Sequence, residues 1–135
     1  MAQTKTVVGL IIVAIGAVVG SSQSMQLSSQ LQPDPWGVES AEKRFASLLP
    51  NLPMQETVGY ISDLALETRG GSTAFLAAQY VLAPRLLVAA GAGNSDFAVG
   101  NFSQPQNYAD FGSKFGYLPM QDFGNGVILY HRAPR

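Results

Sequence analysis

One uncharged run, Thr6 to Ser22 (TVVGLIIVAIGAVVGSS), constrains this chain more than any other feature. As a helix rising about 1.5 Å per residue it would be roughly 26 Å long, just short of a hydrocarbon core of about 30 Å. Valine and isoleucine are weak helix formers in water. In lipid, the main chain has no solvent to bond, and a helix satisfies its groups internally. The SQSMQLSSQLQ that follows is also uncharged and suits a stalk at the headgroups. We read residues 1–32 as an N-terminal membrane anchor and stalk, and residues 33–135 as one small domain. A cleaved signal peptide is the main rival. Lys5 supplies its positive start and Ser22 to Ser24 a small-x-small exit, although alanine is missing from that exit. A buried core helix is the third reading. Gly16 and Gly20 have the GxxxG spacing that lets a second membrane helix pack closely; glycine is also simply common in membrane helices.

Charge gives the anchor a direction. Lys5 and the amino terminus precede the run, and the first basic residues after it are Lys43 and Arg44. The positive-inside bias then places the N-terminus in the cytoplasm and the C-terminal domain on the extracytoplasmic, periplasmic side of a single-pass protein.

The remaining chain is sparsely charged. Charged residues make up 13% of the sequence, about half the usual quarter, and apolar residues 47%. That balance implies a large buried fraction or a sizeable partner surface. A net charge of -1 without a basic block argues against a nucleic-acid partner. The absence of cysteine removes disulfides, thiolate catalysis and thiolate metal sites. With one histidine, His131, and scattered acids, no metal site and no cofactor are expected.

Local patterns predict an α/β domain of two or three layers with about five strands. Asp34 and Pro35 suit the start of a helix, and Val38, Ala41, Phe45, Leu48 and Leu49 recur at helical spacing, so the spacing predicts an amphipathic helix over Pro35 to Leu49. Thr57 to Ser62 reads as a strand. A helix capped by Ser72 follows, apolar nearly all round and expected to be buried, and Pro84 stops it. Arg85 to Gly91 is a second strand, which completes a βαβ unit. Asp96 to Phe102 is a third strand, followed by a short helix around Gln106 to Phe115. Asn125-Gly126 between two strand-like runs predicts a terminal β-hairpin.

No catalytic signature is present. Ligands of open α/β sheets collect beyond the carboxyl ends of the strands, which points to Asp63 with Tyr60, Gln79 and Asn101 as candidate binding residues. Asp63 there is a general base or a hydroxyl-binding carboxylate; its plainer role is to cap a loop. Gly91 to Asn94 resembles half a phosphate loop, but a strand follows where a helix is required, so a plain turn is the better reading. Arg85 is read as an anion ligand or, more simply, as a partner of carboxylate or solvent at a strand entrance. His131 is read as a solvent-facing residue of the last strand.

The segments VGYISD, AAQYVLAPRLLV, DFAVGNF and DFGNGVILYHR, in that order, resemble a group of short bacterial membrane-anchored proteins, cyanobacterial ones included. The resemblance spans about Trp36 to Arg132 and implies the anchor and the α/β domain, with no activity to carry over. A looser likeness, of architecture alone, is to the extracytoplasmic portions of polyprenyl-linked glycosyltransferases, whose multi-span body this chain lacks. Three functions are thus in view. The first is a non-enzymatic interaction or accessory subunit of a membrane protein complex, held by lipid through its N-terminal helix and bound to a membrane protein partner. The others are a helper of envelope polysaccharide or lipid-linked sugar transfer, and a small enzyme using Asp63.

Topology is directly testable. A reporter active only outside the cytoplasm, fused after Arg135, is expected to be on. Two lysines inserted after Ser22 are expected to reduce it, because they oppose the bias set by Lys5. A silent parent fusion that remains in the membrane fraction would reverse the assigned orientation.

Overall fold

The computed structural model describes residues 34–54 and 56–134. The anchor, its stalk and the Gly16–Gly20 pair lie outside these residues. Among those described, no helix is long and apolar enough to cross a membrane. From Trp36 onward the chain forms a compact mixed α/β unit.

In chain order the elements are helix α1 (Val38–Phe45), a 3-10 turn (Leu49–Asn51), strand β1 (Thr57–Ser62), helix α2 (Arg69–Leu82), strands β2 (Leu86–Ala89) and β3 (Phe97–Asn101), helix α3 (Tyr108–Ser113) and strands β4 (Tyr117–Asp122) and β5 (Val127–Arg132). The five strands form one sheet in the order β2-β1-β3-β5-β4. β1 runs parallel to both β2 and β3, while β5 is antiparallel to β3 and β4. The βαβ unit is therefore present as β1-α2-β2, and the terminal hairpin as β4-β5.

Alternation along the strands divides the core between the two faces of the sheet. Val58, Tyr60, Leu87, Val99, Val127 and Leu129 meet α1 and α2 on one face, with Phe45, Leu48 and Leu82. Ile61, Ala98, Ile128 and Tyr130 form the other, with Phe102, Tyr117 and the α3 side chains Tyr108 and Phe111. The domain thus has three layers. α3 approaches the sheet closely because Gly112 gives way to the Tyr130 ring, against whose other edge Gly100 of β3 lies; a Cβ at either glycine would strike that ring. The tyrosine hydroxyl donates to Tyr108 O at 2.8 Å and anchors the start of α3. Burial raises its pKa.

Several elements begin elsewhere than the sequence suggests. α1 starts at Val38 behind a left-handed Gly37 that makes no side-chain cap, so neither Asp34 nor Pro35 opens it, and it ends at Phe45. α2 starts three residues before the expected Ser72. Thr68 is its N-cap, its hydroxyl accepting from Gly71 N at 3.0 Å. Gly70 and Gly71, which read from sequence as part of the loop before the helix, sit in its first turn, where main-chain N–H groups lack helical partners in any case. The outer side of α2 is also exposed rather than buried: Leu76 is 64% and Tyr80 67% accessible. β2, β3 and α3 lie within the predicted segments, and β1 matches its prediction to the residue.

Both sheet edges are blunted. On β2 the outward N–H of Leu87 is taken by Gln79 Oε1 at 2.8 Å. On β4, Pro119 lacks an N–H and the register shifts between Pro119 and Gln121. Such features discourage strand addition by another chain.

The hairpin turn has the expected backbone. Asn125 and Gly126 have φ of 53° and 75°, and Val127 N donates to Gly124 O at 3.0 Å across the turn. A side chain at Gly126 would also collide with the Phe102 carbonyl, which accepts from Arg44. Gly126→Val is expected to lower stability by about 3 kcal/mol or more and Asn125→Val by about 1–2 kcal/mol, read as denaturation midpoints. Unchanged midpoints for both would contradict this turn geometry.

Candidate functional site

The carboxyl ends of β1 and β3 bring three of the four predicted site residues into one region. Thr57 to Ser62 alternates so that Val58, Tyr60 and Ser62 share the helix-covered face, and Asn101 of β3 shares it through the parallel register Ser62↔Asn101. Asn101 Nδ2 donates to Tyr60 Oη at 2.9 Å. The Tyr60 ring stands edge-on to Phe75 of α2, with centroids 5.1 Å apart. Burial pushes the Tyr60 hydroxyl above its ordinary pKa, opposed by the hydrogen bonds of Asn101 and Ser62 and by the Arg44 charge. A phenol held protonated in this way donates or accepts hydrogen bonds but is a poor base at neutral pH.

Asp63 has a different engagement. Its Oδ1 accepts from Ser103 N at 2.8 Å, and its Oδ2 accepts from Ser103 Oγ at 2.7 Å and Gln104 N at 3.1 Å. It therefore caps the loop that leaves β3, the strand next to its own. Partial burial raises its pKa, but the Ser103 and Gln104 donors outweigh that, and the net shift is below the ordinary carboxylate value. That favours the ionised form as a fixed acceptor.

Gln79 is not with the other three. It spans α2 and β2, with Nε2 donating to Arg85 O at 2.9 Å and Oε1 accepting from Leu87 N. The amide thus mimics a neighbouring strand at the sheet edge.

The arginines differ most from expectation. Arg85 meets neither carboxylate nor solvent: it is 4% exposed, and its guanidinium donates to Pro53 O at 2.8 Å, Leu52 O at 2.8 Å and Leu49 O at 3.2 Å. Arg132 donates to Ser95 O at 2.9 Å and Gly93 O at 3.0 Å, and its guanidinium lies 5.1 Å from the centre of the Tyr117 ring. Gly93 belongs to the GAGN stretch, which is therefore an arginine-held turn. His131 is exposed on β5, as read from sequence, and packs edge-on against Phe97 with centroids 5.4 Å apart.

A concave region not singled out by sequence lies between the lead-in to α3 and the edge strand β4. It is an open cleft of about 420 Å³, lined by Gln106 to Ala109, Pro119 to Asp122 and Ile128. Gln106 Nε2 is buried with no hydrogen-bond partner, a deficit that costs about 1–3 kcal/mol. The sequence offered no motif for this cleft, because it forms from a loop and an edge strand that register alone brings together. Among the described residues, no cluster of His, Cys, Asp or Glu can hold a metal ion.

Comparison with protein-family models, curated proteins and solved structures finds no match for this chain.

The Asp63 contacts give a signed prediction. Its depressed folded-state pKa contributes stability that is present above about pH 4, the unfolded value, and is lost as pH falls through the folded value. Asp63→Ala is therefore expected to lower the denaturation midpoint at pH 7, with the gap to the parent narrowing toward pH 3. A gap independent of pH would show that the carboxylate charge does not hold the Ser103 loop.

Proposed function

We propose that the chain is a membrane-tethered, non-enzymatic interaction domain, an accessory subunit of a membrane protein complex, with its domain on the extracytoplasmic side. The observation that carries this reading is the outer stripe of α2, where Leu76 and Tyr80 stand one turn apart and largely exposed. A helix in a domain of this size normally turns such side chains inward; leaving both in water is unfavourable unless a partner covers them. Blunted sheet edges support the same mode, because they leave a helix face rather than strand addition for contact. The tether rests on the uncharged run Thr6 to Ser22. The enzyme reading loses support from Asp63, whose oxygens already accept from the Ser103–Gln104 loop.

The test is site-specific photocrosslinking in intact membranes, with a photoreactive residue at Tyr80 and, as control, at the exposed Lys114 of the segment after α3. A discrete protein adduct is expected from position 80, absent from position 114 and lost on adding Leu76→Asp. Absence of any adduct at position 80, or the same adducts from both positions, would overturn the interaction surface.

A further inference from the structure

We infer that Met54 is an oxidation site, and that its sulfoxide tightens the hold of Arg85 on the link between α1 and β1. The oxidant class is a peroxide. The chain has no cysteine, so its sulfur is confined to four methionines. Two of them, Met54 and Met120, are among the described residues, 66% and 64% exposed, and both are open to a small oxidant in solvent. What sets Met54 apart is its partner. Arg85 Nη2 donates to Met54 Sδ at 3.7 Å. The same nitrogen donates to Leu52 O at 2.8 Å and to Leu49 O at 3.2 Å, and Nε donates to Pro53 O at 2.8 Å. Leu52 is buried and Leu49 and Pro53 are partly buried, so Met54 is the exposed member of the group that Arg85 gathers.

The step balances with hydrogen peroxide alone. A sulfur lone pair attacks one peroxide oxygen, an S–O bond forms as the O–O bond breaks, and the proton of the transferred hydroxyl passes to the departing oxygen. The thioether is oxidised by two electrons and the peroxide leaves as water. A methionine sulfoxide reductase with a dithiol reverses the change. The acceptor changes most. A thioether sulfur accepts weakly, whereas a sulfoxide oxygen facing a guanidinium makes a charge-assisted bond. The rotatable bonds of methionine let that oxygen turn to Nη2. The bond from Nη2 to Leu49 O is long, so that N–H has strength to share with a nearer acceptor. Sulfoxidation usually harms a protein by placing a polar group in apolar packing. Met54 already stands largely in water, so that cost is small and the stronger acceptor decides the sign. The inference rests on Met54 and Arg85 and does not depend on the tether or on the α2 stripe.

The test uses the full-length protein in a peroxide-free detergent, as the parent, Met54→Leu and Met120→Leu. Both substitutions are at exposed positions and keep an apolar side chain of similar size, so the fold is retained. Each protein is treated with hydrogen peroxide and then with catalase. Peptide mass spectrometry locates the added oxygen, and denaturant titration reads the ratio of folded to unfolded protein. Oxygen is expected on Met54 of the native protein. Treatment is expected to raise the folded-to-unfolded ratio about fivefold or more in the parent and in Met120→Leu, and to leave that of Met54→Leu unchanged. Met54 left unoxidised while Met120 is oxidised would overturn the inference. So would a ratio in Met120→Leu that falls or stays level once Met54 carries oxygen, or an equal rise in Met54→Leu.

Discussion

Guanidinium groups that close on main-chain carbonyls hold the irregular half of this domain. Arg85 gathers the carbonyls of Leu49, Leu52 and Pro53, which fixes the link between α1 and β1 against the α2–β2 junction. Arg132 does the same for the β2–β3 loop through Gly93 and Ser95, and Arg44 for the exit of β3 through Phe102. A planar fork with five donors suits this task, because one side chain reaches several carbonyls at once. Buried carbonyls without such partners would each cost about 1–3 kcal/mol. In a chain with so few charges, these arginines are committed to the fold: the donors of Arg85 are taken by the carbonyls of Leu49, Leu52 and Pro53, and Arg132 is held by the Gly93 turn it was placed beside.

The β2–β3 loop illustrates what depends on this. Parallel strands normally need a long crossover, usually a helix. Here the short stretch from Ala90 to Asp96 makes the return instead, and Ser95 lies against Gly59 on the face that α3 leaves open. Tyr117 completes the arrangement: its hydroxyl bonds Ser95 at both the side chain and the carbonyl and accepts from Arg132. Loop, tyrosine and arginine together seal a face that a second crossover helix would otherwise cover.

What the sequence made legible follows from how local each signal is. β1, the βαβ order and the Asn125-Gly126 turn are written in short-range alternation and turn chemistry, and they stand in the structure as read. The start of α2 was obscured because Gly70 and Gly71 look like a break, although in a first turn they interrupt no helical hydrogen bond. The exposure of Leu76 and Tyr80 was not readable, since an apolar residue on the outside of a helix has the same letter as one inside. Tyr60, Asp63 and Asn101 were correctly expected at one sheet edge, because strand ends predict neighbourhood. Their partners were not readable: the Ser103 loop, Arg44 and the acceptors of Arg85 are long-range contacts set by the packed sheet. The cleft beside β4 was invisible for the same reason.

The exposed stripe of α2 and the cleft belong to opposite faces of the sheet, α2 on one and α3 on the other. The arginines hold the loops that join the elements of these two faces. Equilibrium unfolding of Arg85→Met and Arg85→Lys tests it most directly. Methionine fills much of the volume without donors, and lysine keeps the charge without the fork. The account predicts that each loses about 3 kcal/mol or more, because neither can satisfy the carbonyls of Leu49, Leu52 and Pro53 together. An Arg85→Met protein within about 0.5 kcal/mol of the parent would show that these carbonyls do not need the guanidinium and would contradict the account.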